Sequence, residues 1–222
     1  MGIRQVAIIG AGTMGAGIAQ VCAQSEWNTI LYDAFPEGLE KGMQRIDAFW
    51  DKGIARGKTT AQQKQDWSKN LRAETNLEAA VRGCDLIIEA VPEILELKQK
   101  IFLEVEQYVG ETTILATNTS SLSIGRIASV MKYPERLIGM HFFNPVPIMK
   151  LLELVKHDKT SEATVSVAEE AGLVMNKTTI LVNDVPGFAT SRLGVVLGNE
   201  AIRMLADGVA SAKDIDTAMV LG

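Results

Sequence analysis

Residues 10–15 read GAGTMG, with the apolar run VAIIG leading into them and the helical pattern MGAGIAQ leading out. Glycines in G-x-G-x-x-G spacing between a strand and a helix constrain the chain more than any other feature, because each has a separate physical task. Gly10 permits a tight turn, Gly12 lets backbone approach a pyrophosphate, and Gly15 lets the helix pack on the strand. The helix amino terminus offers N–H groups to the anion, with Thr13 and Met14 beside it. Asp33 ends the next apolar run, TILYD, 18 residues after Gly15. A carboxylate there accepts hydrogen bonds from ribose hydroxyls and repels a 2′-phosphate, so the expected cofactor is NAD rather than NADP. FAD shares the fingerprint, but no second dinucleotide segment stands out.

The runs VAIIG, TILYD, DLIIEAV, TTILATN and RLIGMHF are short, apolar and bounded by Gly, Asn, Asp or Pro, as buried strands are. Helical periods lie between them, as in Met14, Ile18 and Val21 or Ile94, Leu97, Ile101 and Val105. Alternation of this kind predicts an α/β, Rossmann-type, doubly wound and mainly parallel sheet. A long polar stretch at 37–70 is expected to form two helices split near Gly57 and to project from the sheet as a hairpin. After VNDVPGF the texture becomes continuous helix over 188–207, followed by a capped start at SAKDIDTAMVLG. We therefore expect a dinucleotide-binding domain over 1–185 and the beginning of a helical domain over 186–222.

With 47% hydrophobic residues among 222 there is material for a real core. Net charge is −5 with both signs interspersed, so neither nucleic acid nor an anionic membrane is an expected partner. Cys22 and Cys84 fit neither a metal site nor a disulfide framework, and no metal is expected; a reducing, cytoplasmic setting is. MGIRQ passes directly into VAIIG, so no leader and no bilayer span is expected at the start.

GMHFFNPVPIMKLLELV, residues 139–155, sets His141 and Glu153 among apolar residues. A buried carboxylate needs donors, and His141 is a candidate. The imidazole follows a strand whose carboxyl end should face the ligand crevice, and the twelve-residue separation lets the chain turn at NPVP and return as a neighbouring strand. Oxidising a secondary alcohol requires a hydride acceptor and a base for the hydroxyl proton. An imidazole, with an ordinary pKa of about 6.5, suits the second task, and a carboxylate would fix its tautomer. The bland alternative is a core histidine, with Glu153 paired to Lys150 or Lys156. Thr117 to Ser121 also end a strand at the crevice, where Asn118 or Ser120 could bond substrate or nicotinamide.

Together GAGTMGAGIAQ, EAVPE, NTSSLSI, GMHFFNPVPIMKLLELV and DVPGF closely resemble the L-3-hydroxyacyl-CoA dehydrogenase family, in particular its bacterial 3-hydroxybutyryl-CoA members, over almost the whole chain. The resemblance implies NAD-dependent interconversion of (S)-3-hydroxyacyl-CoA and 3-oxoacyl-CoA. It places the catalytic pair on His141 and Glu153, substrate contacts on Ser120 and Asn144, and NAD contacts on Asp33, Glu93, Lys98 and Asn118. Ser191 stands where many relatives carry an active-site Asn in PGFxxNR. The family's second domain is all-helical, completes the substrate cleft and forms the dimer. Only its opening helices are expected here, which would leave Val195, Val196, Ile202 and Leu205 uncovered. The resemblance also sets CoA against the helical excursion, where Arg45, Lys52, Arg56 and Lys58 are available. Related enzymes acting on 3-hydroxy acids without CoA use a lysine on the long helix, and SRLGVVLGNEAIRML has none. A non-catalytic NAD-binding or structural relative is the remaining alternative; such a chain would be free to lose the pair that this one keeps.

Overall fold

A computed structural model of the chain describes residues 2–222. Eight strands form one sheet: β1 (Gln5–Ile9), β2 (Asn28–Tyr32), β3 (Leu71–Glu74), β4 (Leu86–Glu89), β5 (Ile114–Thr117), β6 (Leu137–Phe142), β7 (Leu151–Lys156) and β8 (Thr178–Asn183). Their order is β3-β2-β1-β4-β5-β6-β7-β8, and every pairing is parallel except β6 with β7. The chain leaves β1 toward β2 on one side and later returns to place β4 on the other. This reversal is where a doubly wound sheet opens a ligand crevice.

Successive side chains on a strand point to opposite faces, and the core divides accordingly. Val6, Ile8, Leu86, Ile88, Ile138 and Met140 pack on one face with α1 (Thr13–Gln24), α2 (Pro36–Ala55) and α7 (Glu162–Val174). Ala7, Ile9, Ile87, Leu115 and Leu137 pack on the other with α4 (Leu77–Val81), α5 (Leu95–Val105) and α6 (Ile124–Ala128). Both faces being covered explains why these strands are continuous apolar runs rather than alternating ones.

The helical excursion divides as expected into α2 and α3 (Ala61–Lys69), with Gly57 at φ +66° between them. Thr60 starts α3 through a capping box with Gln63. The excursion does not stand away from the sheet, however. Leu39, Ile46 and Trp50 form a buried stripe on α2 that joins the core beside α1, and Trp50 meets Trp67 at 5.9 Å between ring centroids. The polar residues between these apolar positions had masked the stripe. Two further strands, β3 and β8, lie outside the expected set; β3 reads LRAE and has no apolar run to announce it. Beyond β8 come α8 (Thr190–Ala206) and α9 (Ala212–Leu221), the latter capped by Ser211. Val195, Val196, Ile202 and Leu205 are exposed, as the sequence led us to expect.

Candidate active site

Two glycines, Gly10 just after β1 and Gly15 in the first turn of α1, are required by their surroundings. A Cβ on Gly15 would lie 1.7 Å from the Gly10 carbonyl oxygen, and one on Gly10 would lie 2.8 Å from the Ala90 oxygen at the end of β4. Gly12 differs: a Cβ there would meet nothing within 4 Å. Its lack of a side chain serves the space outside, not the packing inside. Gly12 is also the residue before α1, and it has no side-chain cap. Here begins a cleft of about 630 Å³ lined by Gly10, Gly12, Thr13, Met14, Asp33 and Phe35 on one side and by Val91, Leu97 and Ile101 on the other. Ligand clefts commonly have this size. The Asp33 carboxylate accepts the Ala11 N–H at 2.8 Å and the Phe35 N–H at 2.9 Å, which aims it while leaving acceptor positions for hydroxyl groups. An open glycine at a helix start and an anchored carboxylate beside an apolar slot fit NAD, which these residues would hold.

The wall between this cleft and the next strand ends is built on a buried ion network. Lys98, on the inner face of α5, is 1% exposed and donates to Glu89 Oε1 at 2.7 Å; Glu93 Oε2 lies 3.3 Å from its Nζ. The other Glu89 oxygen accepts the Thr117 hydroxyl at 2.6 Å. Glu93 Oε1 in turn accepts the Thr119 hydroxyl and the Ser120 and Ser121 N–H groups, the last two at 3.0 and 3.3 Å. Burial opposes ionisation of Glu93, but Thr119, Lys98 and the Ser120 N–H together hold its carboxyl below the ordinary range. Lys98 thus acts on the loop bearing Ser120 by way of Glu93.

His141 and Glu153 face each other in the antiparallel register of β6 and β7, so both side chains leave the same face of the sheet. His141 Nδ1 lies 2.9 Å from Glu153 Oε2. Glu153 is fully buried and saturated: Oε1 accepts the Ala189 N–H at 2.8 Å and the Thr190 N–H at 3.1 Å, and Oε2 also accepts the Thr190 hydroxyl at 2.9 Å. Burial works to raise the Glu153 carboxyl, yet His141, Ala189 and Thr190 outweigh it and hold the group below the ordinary carboxylate range. An ionised carboxylate only accepts, so in the neutral imidazole the proton lies on Nδ1, toward Glu153, and Nε2 keeps the lone pair. The Phe143 and Phe188 rings flank the imidazole, at 4.5 and 6.0 Å between centroids. Asn118 Oδ1 accepts the Phe142 N–H at 2.9 Å, tying the end of β5 to the strand that carries His141.

Comparison with known proteins gives this arrangement a family. Residues 5–185 match the model for the 3-hydroxyacyl-CoA dehydrogenase NAD-binding domain, and residues 187–222 match that for the corresponding C-terminal domain. The chain belongs to the 3-hydroxyacyl-CoA dehydrogenase family. It is 43% identical to a probable 3-hydroxyacyl-CoA dehydrogenase of Caenorhabditis elegans, over 99% of this chain and 73% of that protein. Identity to a 3-hydroxybutyryl-CoA dehydrogenase of Clostridioides difficile is 40%, over 98% and 77% respectively. Among solved structures, the (S)-3-hydroxybutyryl-CoA dehydrogenase from Ralstonia eutropha superimposes with a TM-score of 0.95 at 39% identity, covering 99% of this chain and 77% of that one.

Within this dehydrogenase fold several expectations about side chains need correction. Thr117 and Thr119 do not face the crevice: both are fully buried, and their hydroxyls serve Glu89 and Glu93. Ser120 and Asn144 are exposed, and the Ser191 hydroxyl lies 3.5 Å from the Ser120 carbonyl oxygen, so the second helical segment does reach the NTSSL loop. Lys150 and Lys156 are not partners of Glu153; Lys156 approaches Glu162 instead. Two participants escaped the sequence reading. Glu89 stands in EAVPE beside the more obvious Glu93, and a charged residue closing the apolar run DLII was the available signal. Thr190 had none, because a threonine opening a helix is ordinary.

Proposed function

We propose that this chain interconverts (S)-3-hydroxyacyl-CoA and 3-oxoacyl-CoA with NAD, using His141 as the acid and base, and that its preferred substrate is the four-carbon thioester. The observation that carries the mechanism is a buried His–Glu pair whose carboxylate is saturated with donors and whose imidazole presents a free Nε2. Bound NAD supplies the hydride acceptor. His141 Nε2 takes the hydroxyl proton as the alcohol is oxidised, and Glu153 stabilises the resulting imidazolium without itself taking the proton. In the reverse direction the imidazolium returns that proton to the ketone oxygen. A base so positioned is worth roughly 10² to 10⁴ in rate. Ser120, Asn144 and Ser191 bind the substrate, and the cleft lined by Gly12 and Asp33 holds the cofactor.

The division into a dinucleotide-binding domain over 1–185 and a helical segment over 186–222 is supported by the two matched family models, which meet at that point. The exposed apolar side chains of α8 support a homodimer formed through that region. Cys22 and Cys84 are free thiols, in keeping with a cytoplasmic setting, and among the described residues no helix is long and apolar enough to cross a membrane.

The test is NADH consumption with acetoacetyl-CoA, against NADPH and against acetoacetate lacking CoA. We expect turnover only with NADH and the thioester, and a loss of about 10² or more in kcat for His141→Gln with NADH affinity retained. An unchanged rate in that variant would remove the imidazole from the mechanism.

A further inference from the structure

The Glu153 carboxylate makes more bonds than helix capping needs. The residue before α8 is Ala189, which has no side-chain oxygen to cap the helix, and Glu153 reaches across from β7 to take over that duty. Capping accounts for Oε1, which accepts the Ala189 and Thr190 N–H groups. It does not account for the Thr190 hydroxyl, which donates at 2.9 Å to Oε2, the oxygen that also receives His141 Nδ1 at 2.9 Å. We infer that Thr190 is a positioning residue: its hydroxyl, acting through Glu153 Oε2, fixes the tautomer and the direction of the His141 ring.

A carboxylate has about four lone-pair positions, and here four donors fill them. With one position on Oε2 taken by the hydroxyl, a single position remains for the imidazole, and the ring is aimed by it. Without the hydroxyl, the carboxylate could rotate away from Nδ1 for part of the time, and the ring would lose the acceptor that enforces its tautomer. Adjacent residues reinforce the same assignment. Phe188, immediately before Ala189, is buried at a φ of +49° and sets its ring 6.0 Å from the imidazole. A bulky residue in the left-handed region is uncommon and persists only where its surroundings hold it. Residues 188–190 therefore touch both members of the pair, and the first turn of α8 supplies part of the catalytic geometry as well as part of the cleft.

This inference rests on the His141–Glu153 reading, and the experiment separates the two. With only two histidines in the chain, nitrogen-15 spectra of the imidazole rings report the His141 tautomer directly, with His141→Gln identifying its signals. In the wild type we expect Nδ1 protonated and Nε2 free. Thr190→Val keeps the shape of the side chain and removes the hydroxyl; we expect it to yield a mixture of tautomers and to lower kcat about tenfold while KM for NADH stays within about twofold. Thr190→Ser should restore both readouts. Thr190→Ala serves as the second variant should valine disturb the fold, as judged by circular dichroism. A folded Thr190→Val or Thr190→Ala protein with the wild-type tautomer and kcat would overturn the inference, as would a loss that serine fails to rescue. If His141→Gln leaves turnover unchanged, the acid and base reading falls, while the tautomer spectra still decide whether Thr190 orients the ring.

Discussion

Glu153 shows how a single side chain comes to matter in two ways. It holds the imidazole and it holds the start of α8, with the same two oxygens. Glu153→Gln should expose both roles, because an amide offers one accepting oxygen where four donors converge and places an NH₂ group against two of them. An NH₂ facing Nδ1 would favour the opposite tautomer and leave Nε2 protonated, so we expect kcat to fall by roughly 10² to 10⁴. The folded protein keeps the Glu153 carboxyl below its ordinary range, so the carboxylate form stabilises the fold. That stabilisation is fully present above the unfolded-state pKa of about 4.3 and is lost as pH falls through the lower folded-state value. Thermal midpoints of wild type and Glu153→Gln should therefore differ most at neutral pH, with the gap narrowing as pH drops below about 4.3. A gap that is independent of pH would mean the carboxylate contributes shape and not charge.

At the level of elements, the strand–turn–helix unit at the amino terminus can be dissected by two substitutions of the same chemistry. Gly15→Ala forces a Cβ against the Gly10 carbonyl at 1.7 Å, where only backbone movement gives relief, so we expect a loss of about 3 kcal/mol or more in denaturant unfolding. Gly12→Ala puts its Cβ into open space, so stability should stay within about 0.5 kcal/mol while the NADH dissociation constant rises about tenfold or more. Equal losses of stability in the two would contradict the separate tasks of these glycines. The same unit shows what is legible in a sequence. β1, β2, β4, β5 and β6 stand out because a strand buried on both faces must be apolar throughout, and α1 because its glycines are tied to a turn. β3 did not, since its register against β2 is supplied by backbone pairing and none of its side chains is fully buried. The pair His141 and Glu153 was readable because ionisable groups are costly in apolar surroundings. Glu89 and Thr190 act through hydrogen bonds between distant elements, 28 and 37 residues apart in the chain, and spacing along one segment carries no trace of them.

Seen as a whole, the molecule has one well-covered end and one open end. The central strands of the sheet are packed on both sides, whereas Leu193, Val195, Val196, Leu197 and Ile202 on α8 are each more than half exposed. Apolar side chains exposed in this number on one helix favour association. We expect sedimentation velocity to find species larger than the 24.1 kDa monomer at micromolar concentration, and Val196→Glu with Ile202→Glu to restore the monomer without lowering the thermal midpoint. A wild-type chain that sediments as a monomer would show that these exposed side chains alone do not suffice for association.

The one antiparallel pairing in the sheet, β6 with β7, confines the His141–Glu153 pair to a single hairpin. Tolerance to insertion and deletion should consequently be very uneven across residues 137–156. The connection at 143–150 can change length without altering which residues face each other, because strand pairing and not loop length brings them together. One residue gained or lost within either strand on the side of the pair away from the loop, with the rest of that strand held in register, would turn one side chain to the opposite face of the sheet and separate the pair. A catalytic geometry of this kind is insensitive to drift in its loop and unforgiving of a single-residue slip in its strands.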